Sequence, residues 1–421
     1  MSESYAEKML NAIESGQLEE AKKAFAWALR EDDDEILFNL AEQLYALGFL
    51  HQAQRTYLKL LQRYPAEDEL RTALAEIAID EGNNDEALAY LAQIKPDSPA
   101  YLQSLLVAAD LYQTEEQFEV TEEKLQAAYQ LAPTEPAVLF ALGEYYYATG
   151  LFTPAIQYYF ALIQAGVAEF ARVDIAGRLG MAYAQSGKFD QALGYLKQVA
   201  PGYLTNDIRF QTGLTELNLG DLKAAIVTLK ELIEDDDQYA SAYPALAQAY
   251  LQENHVSQAL KVAQEGLGVD EYNEQLFALA GDLAGRLGET TLVEKYLTKA
   301  HELDPDNLAI TLKLSNYYLS QNDHEANLAI LTTVNKAAVD PQVEWNLAQS
   351  YQALEKFDAA AQAYENARPT YWENLTFLKQ LLGFYQENGD QALLLDTLEH
   401  ALTLAPDDPE LTELEAQYQA F

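Results

Sequence analysis

The sequence predicts an all-α solenoid of about twelve tandem helix–turn–helix repeats, and three observations carry that prediction. Glycines recur in one local setting along the chain. A small residue recurs at one position of nearly every unit. The interval between units stays close to 34 residues over all 421. A register held this long marks a repeat architecture, in which each unit buries its apolar face on its neighbours.

The glycines are Gly48, Gly82, Gly150, Gly187, Gly220, Gly288 and Gly389. Five residues later stands Ala53, Ala87, Ala155, Ala192 or Ala225, with Val293 and Leu394 in the last two cases. Aligned on this turn, units start near residues 2, 34, 68, 102, 136, 173, 206, 240, 274, 308, 341 and 375. The eighth column reads Met9, Ala41, Ala75, Ala109, Gly143, Gly180, Gly213, Ala247, Gly281, Ser315, Ala348 and Leu382. Two paired helices approach closely only where a small residue sits at their crossing. The exceptions fall in the first and last units, where one neighbour is missing. The twentieth column is rich in alanine, including Ala21, Ala259 and Ala360, and is the expected facing position on the second helix.

One turn beyond the eighth column runs a tyrosine stripe: Tyr112, Tyr146, Tyr183, Tyr250, Tyr318, Tyr351 and Tyr385. It reads as core packing whose polar tips find partners. Pro65, Pro99, Pro133, Pro305 and Pro406 share a column and stop second helices before the next unit.

These residues carry a family resemblance. Leu142, Gly143 and Tyr146, followed by Ala155 and Tyr159, resemble the tetratricopeptide repeat signature, as do Leu179, Gly180, Tyr183 and Ala192. The run Glu344 to Pro369 is similar again, with Trp345 one residue nearer its leucine than the pattern asks. The resemblance covers nearly the whole chain, whose layout also resembles uncharacterised cytoplasmic multi-repeat proteins of Gram-positive bacteria. It implies a right-handed superhelix over residues 1–408, with first helices lining a concave groove. Residues 409–421, with Leu411, Leu414, Tyr418 and Phe421 at helical spacing, form the expected C-terminal capping helix. The one stretched interval, 136 to 173, and Pro201-Gly202 nearby make 166–206 the place for a change of pitch or a hinge.

Composition limits the function. Asp and Glu total 67 against 26 Lys and Arg, for a net charge of -41. Such a field repels phosphate backbones and anionic lipid surfaces, which excludes nucleic acid as a partner and attracts basic proteins. The same charge also keeps a long chain soluble. The chain holds no cysteine, which suits a reducing compartment. MSESYAEKML shows no basic stretch followed by an apolar one, and no apolar run is long enough to insert in a membrane. A cytoplasmic location is expected.

No catalytic or cofactor-binding constellation emerges. The five histidines, at 51, 255, 301, 324 and 400, occupy different columns and form no metal-ligand spacing. Asp304 to Asn307 resembles part of a calcium loop but lacks its glycine and terminal glutamate. Gly180 to Lys188 has the wrong glycine spacing for a phosphate loop. The chain therefore reads as a non-enzyme without cofactor or metal.

The groove is more informative. Column nine carries Glu42, Glu76, Asp110 and Glu144 in four successive units, then Met181, Leu214, Gln248, Asp282, Asn316, Gln349 and Gly383. Neighbouring groove columns add Phe38, Tyr45, Ile79, Leu106, Phe140, Tyr147 and Phe210. Acids interleaved with aromatics suit a protein or peptide partner that offers Lys or Arg and apolar anchors. Phe38, Glu42, Tyr45, Glu76, Asp110, Phe140, Glu144 and Tyr147 are the expected partner-binding residues. A clamp for a partner's C-terminal carboxylate lacks its Lys and Arg here. The reading is a non-catalytic scaffold or adaptor. The alternative is a signalling-peptide receptor whose superhelix compacts on a peptide and regulates another protein.

Overall fold

A computed structural model describes residues 3–334 and 340–419. The chain divides into two compact units, Met1–Thr215 and Glu216–Phe421.

The first unit is built from helix pairs: α1 (Tyr5–Glu14) with α2 (Leu18–Glu31), α3 (Asp34–Ala46) with α4 (Leu50–Arg63), α5 (Asp68–Asp80) with α6 (Asn84–Leu91), α7 (Tyr101–Thr114) with α8 (Phe118–Leu131), and α9 (Pro136–Ala148) with α10 (Phe152–Gln164). A short antiparallel hairpin, β1 (Glu169–Phe170) and β2 (Val173–Asp174), then precedes α11 (Ile175–Gln185) and α12 (Phe189–Leu196). The unit boundary falls within α13 (Asn206–Asn218).

The second unit continues with α14 (Leu222–Asp235), then α15 (Ala242–Gln252) with α16 (Val256–Val269), α17 (Glu274–Leu287) with α18 (Thr290–Leu303), α19 (Leu308–Ser320) with α20 (His324–Leu331), α21 (Pro341–Ala353) with α22 (Phe357–Tyr371), and α23 (Leu375–Asn388) with α24 (Gln391–Leu404). A last helix, α25 (Pro409–Gln419), comes after them. It buries Leu411, while Phe421 lies outside the described residues. The odd-numbered helices from α1 to α23 begin within three residues of the starts read from the glycine register.

Each pair is turned by one left-handed residue. Gly16, Gly48, Gly82, Gly150, Gly187, Gly220, Gly288 and Gly389 have positive φ. Glu116, Asn254, Asn322 and Glu355 take the same conformation at the same column, which is why those repeats carry no glycine signal. Asparagine tolerates this region, but glutamate occupies it at a steric cost. Caps fix many first helices: Asp33, Asn273, Asn307 and Asn374 accept from the backbone N–H three residues on, and Ser4 with Glu7 forms a reciprocal capping box.

The close crossing is tight in the way the small column requires. A Cβ added at Gly180 would stand 2.8 Å from Leu196 Cγ, and one at Gly281 would stand 2.7 Å from Leu297 Cδ2. Ala41, Ala75, Ala247 and Ala348 are fully buried at the same column. The tyrosine stripe packs as expected: Tyr146 stacks on Tyr158 and donates to Glu122 at 2.6 Å, and Tyr385 donates to Glu365 at 3.2 Å. Burial and the nearby carboxylate push each of these phenols up to about 12. Trp345 sits between Tyr371 and Phe377 and donates its indole N–H to Gln380 Oε1 at 2.6 Å.

Candidate protein-binding surface

Residues sharing a column of successive first helices point the same way, because every first helix starts in register. In the first unit this places Phe38, Glu42 and Tyr45 on α3, Glu76 on α5, Asp110 on α7, and Phe140, Glu144 and Tyr147 on α9 along one face.

Part of this set converges. Tyr45 is half-buried, and burial raises its phenol well above the ordinary value. The Asp80 carboxylate beside it raises it further, with smaller contributions from the charges of Glu76 and Asp110. Three successive first helices thus bring four groups to one place. Burial also lifts the Glu76 carboxyl, with Asp80 and Asp110 adding to the rise and a 3.2 Å hydrogen bond from Gln103 Nε2 opposing it. Asp110 is raised for the same reasons, burial first and Asp80 second. Under the same face lies Tyr57, in edge-on contact with Phe38 at 6.0 Å and raised by burial and by Glu42 and Glu76.

Four basic residues of this unit pair with other acids. Lys22 pairs with Glu19, Arg63 with Asp34, Arg71 with Asp68, and Lys124 with Glu123. Among the described residues no Lys or Arg forms an ion pair with Glu42, Glu76, Asp80 or Asp110. Burial is the larger cause of the rise at Glu76 and Asp110, and repulsion from Asp80 adds to it.

Glu144 differs. It accepts from the Tyr159 hydroxyl at 2.6 Å and lies 3.0 Å from Arg178 Nε, so its charge is already matched. Tyr147 packs edge-on against Phe152 at 5.6 Å. Phe140 is covered by Phe170 of the hairpin, with ring centroids 5.1 Å apart. The acidic cluster is therefore Glu76, Asp80 and Asp110, with Tyr45 among them; Glu42 lies beside Tyr57, and Glu144 stands apart.

The column-nine reading missed Asp80, Arg178 and Phe170. Asp80 lies one helical turn after Glu76, a spacing that shares a face. Arg178 lies one repeat after Glu144, the separation at which successive first helices touch.

In the second unit the column-nine positions of α17, α19 and α21 carry paired charge or amides. Asp282 pairs with Lys313. Asn316 accepts from Asn346 Nδ2 at 2.9 Å, and Gln349 accepts from Gln380 Nε2 at 3.4 Å. Among the described residues no group of three or more histidines and carboxylates is placed to hold a metal ion. No described helix is long and apolar enough to cross a membrane.

The chain has clear relatives among known proteins. Family models for YpiA-like tetratricopeptide repeats match residues 113–167, and those for the YpiA-like C-terminal repeats match 341–408. A general tetratricopeptide repeat model matches 178–240. The TPR repeat-containing protein YpiA of Bacillus subtilis (strain 168) is 33% identical over 408 residues, covering 97% of this chain and 96% of that protein. The Protein CTR9 homolog of Arabidopsis thaliana is 22% identical over 306 residues, covering 69% of this chain and 28% of that protein. A crystal structure of a tetratricopeptide repeat protein from Parabacteroides merdae aligns at 14% identity and a TM-score of 0.44, over 59% of this chain and 98% of that one.

Proposed function

The chain belongs to the YpiA-like family of tetratricopeptide-repeat proteins, and from that premise we propose that it is a non-catalytic scaffold. Its acidic first-helix face, in the first unit, holds a basic segment of a partner protein. Proteins built from such repeats generally work by holding other proteins.

One observation carries the reading: Glu76, Asp80 and Asp110 cluster beside Tyr45 without a cationic partner of their own among the described residues. A protein that wanted only solubility would spread like charges over its surface, where water screens them. Here three acids of two successive first helices converge beside one half-buried tyrosine, and the Glu76 carboxyl is itself half-buried and raised in pKa. Uncompensated charge of that kind is a liability to folding and an asset to binding. Lys or Arg from a partner supplies the missing charge, while Phe38 and Tyr45 offer flat apolar surface for its side-chain stems or neighbouring aromatics. A cytoplasmic setting suits the cysteine-free composition and belongs to the same proposal.

The test is affinity purification from the native cell, read by mass spectrometry, with the parent chain and with the triple variant Glu76→Gln, Asp80→Asn, Asp110→Asn. Partners with basic segments are expected to be retained by the parent and depleted about tenfold or more by the variant. Equal recovery with both proteins sinks the reading.

A further inference from the structure

The junction between α10 and α11 is longer than the fold needs. Residues Asp32 and Asp33 suffice between α2 and α3, and four residues suffice between α4 and α5 and between α8 and α9. The longer junctions after α6 and α12 come behind second helices of only 8 residues, whereas α10 is a full 13 residues long. Residues 165–174 thus make this junction about six residues longer than the four-residue ones, and the hairpin lies within it.

The base of this hairpin is fixed. Ile175 N–H donates to Ala168 O at 3.0 Å, and the Asp174 carboxylate accepts from Gly177 N–H at 2.8 Å, capping α11. Its tip is poorly chosen. Ala171 and Arg172 both sit at positive φ, +48° and +63°, where a two-residue hairpin turn favours Asn and Gly. An isolated two-stranded hairpin is marginal in any case. Its strands are held by Phe170, which packs on Phe140 at the edge of the core, and by Tyr203, whose hydroxyl donates to the Glu169 carboxylate. Phe140 is on α9, one repeat beyond Asp110, at the same column as Phe38, so the hairpin covers an aromatic position of the proposed binding face.

We propose that the β1–β2 hairpin is a displaceable plug: Phe170 occupies the subsite over Phe140 that otherwise receives an aromatic side chain of the bound basic segment. The inference rests on the acidic-face reading and gives it a specificity. A segment with lysines alone engages Glu76, Asp80 and Asp110 and leaves the hairpin in place. A segment that also carries an aromatic residue toward α9 must lift the hairpin first. Lifting the plug breaks the exposed Tyr203–Glu169 hydrogen bond, but it exchanges one aromatic pair for another and releases the unfavourable turn.

Two fluorescein-labelled, lysine-rich peptides serve as probes, identical except for a single phenylalanine in one. Binding is read by anisotropy for the full-length parent, for Phe170→Ala and for the triple variant of the acidic cluster. Phe170→Ala is expected to bind the phenylalanine peptide about tenfold more tightly than the parent does, with the lysine-only peptide unchanged. If Phe170→Ala proves misfolded by circular dichroism, hydrogen exchange on the parent decides: saturating phenylalanine peptide should speed exchange across Glu169–Asp174, and lysine-only peptide should not. No gain for Phe170→Ala, or unchanged or slower exchange at the hairpin, overturns the plug while the acidic-face reading stands if the triple variant loses both peptides. Failure of the parent to bind either peptide removes the plug together with the reading beneath it.

Discussion

Gly143 and Tyr159 are complementary shapes: a Cβ added at Gly143 would lie 2.5 Å from Cε1 of the Tyr159 ring. The ring is fully buried, and its hydroxyl donates to Glu144 on the far side of the crossing. Gly143→Ala must therefore push a ring that has nowhere to go. We expect it to destabilise the α9–α10 layer by about 1–3 kcal/mol, seen as faster hydrogen exchange in those helices. Gly383 is the internal control. It is helical, and nothing lies within 4 Å of an added Cβ. Gly383→Ala should stabilise the second unit by roughly 0.5–1 kcal/mol in a denaturant melt.

The acidic cluster should show opposite effects on stability and binding. Glu76 and Asp110 have raised carboxyl pKa values in the folded chain. A raised acid contributes stability below its unfolded pKa, and that contribution is lost as pH rises through the folded value. At pH 7 the ionised pair is therefore a destabilising feature. Glu76→Gln with Asp110→Asn should melt at the same temperature as the parent or higher at pH 7, with the difference shrinking toward pH 4. A clear drop in melting temperature at pH 7 would show the carboxylates to be structural.

Two turns carry the wrong residue for their shape. Glu116 and Glu355 sit at φ +59° and +58°, where eight sister turns use glycine. Glu116→Gly and Glu355→Gly should each stabilise the protein by about 0.5–1 kcal/mol, the relief of left-handed strain exceeding the added freedom of the unfolded chain. Thermal melts of the single and double variants check both sign and additivity.

Tyr159 also tests how Glu144 is held. Tyr159→Phe keeps the ring and removes the donor, leaving Glu144 beside Arg178 alone. The expected loss is about 1–2 kcal/mol. Binding of a basic partner should be unaffected, since Glu144 stands outside the unpaired cluster. Reduced binding at unchanged stability would bring Glu144 back among the contact residues.

Much of the fold was legible in the sequence, for physical reasons that can be named. Helix pairs need a small residue at their crossing and a left-handed residue at their turn, so Gly143, Gly180 and the glycines from Gly48 to Gly389 announced the register. Where side chains tolerate the same backbone, as at Asn254 and Glu355, the signal vanished although the turn remained. The column-nine acids were visible as a series, but their partners were not. Glu144 is matched by an arginine a whole repeat away, and Asp80 joins from a column one helical turn further on. The hairpin was legible only as extra length, because Ala171-Arg172 carries none of the usual turn chemistry.

Within each unit, substantial packing joins helices adjacent or next-but-one along the chain. A change at one joint therefore bears mainly on its neighbouring layers, and the segment inserted after α10, which packs on α9, is such a change. An architecture assembled layer by layer leaves its seams open to evolutionary experiment, so new recognition properties in relatives of this chain should be sought at the lengths and compositions of their joints more than in their cores.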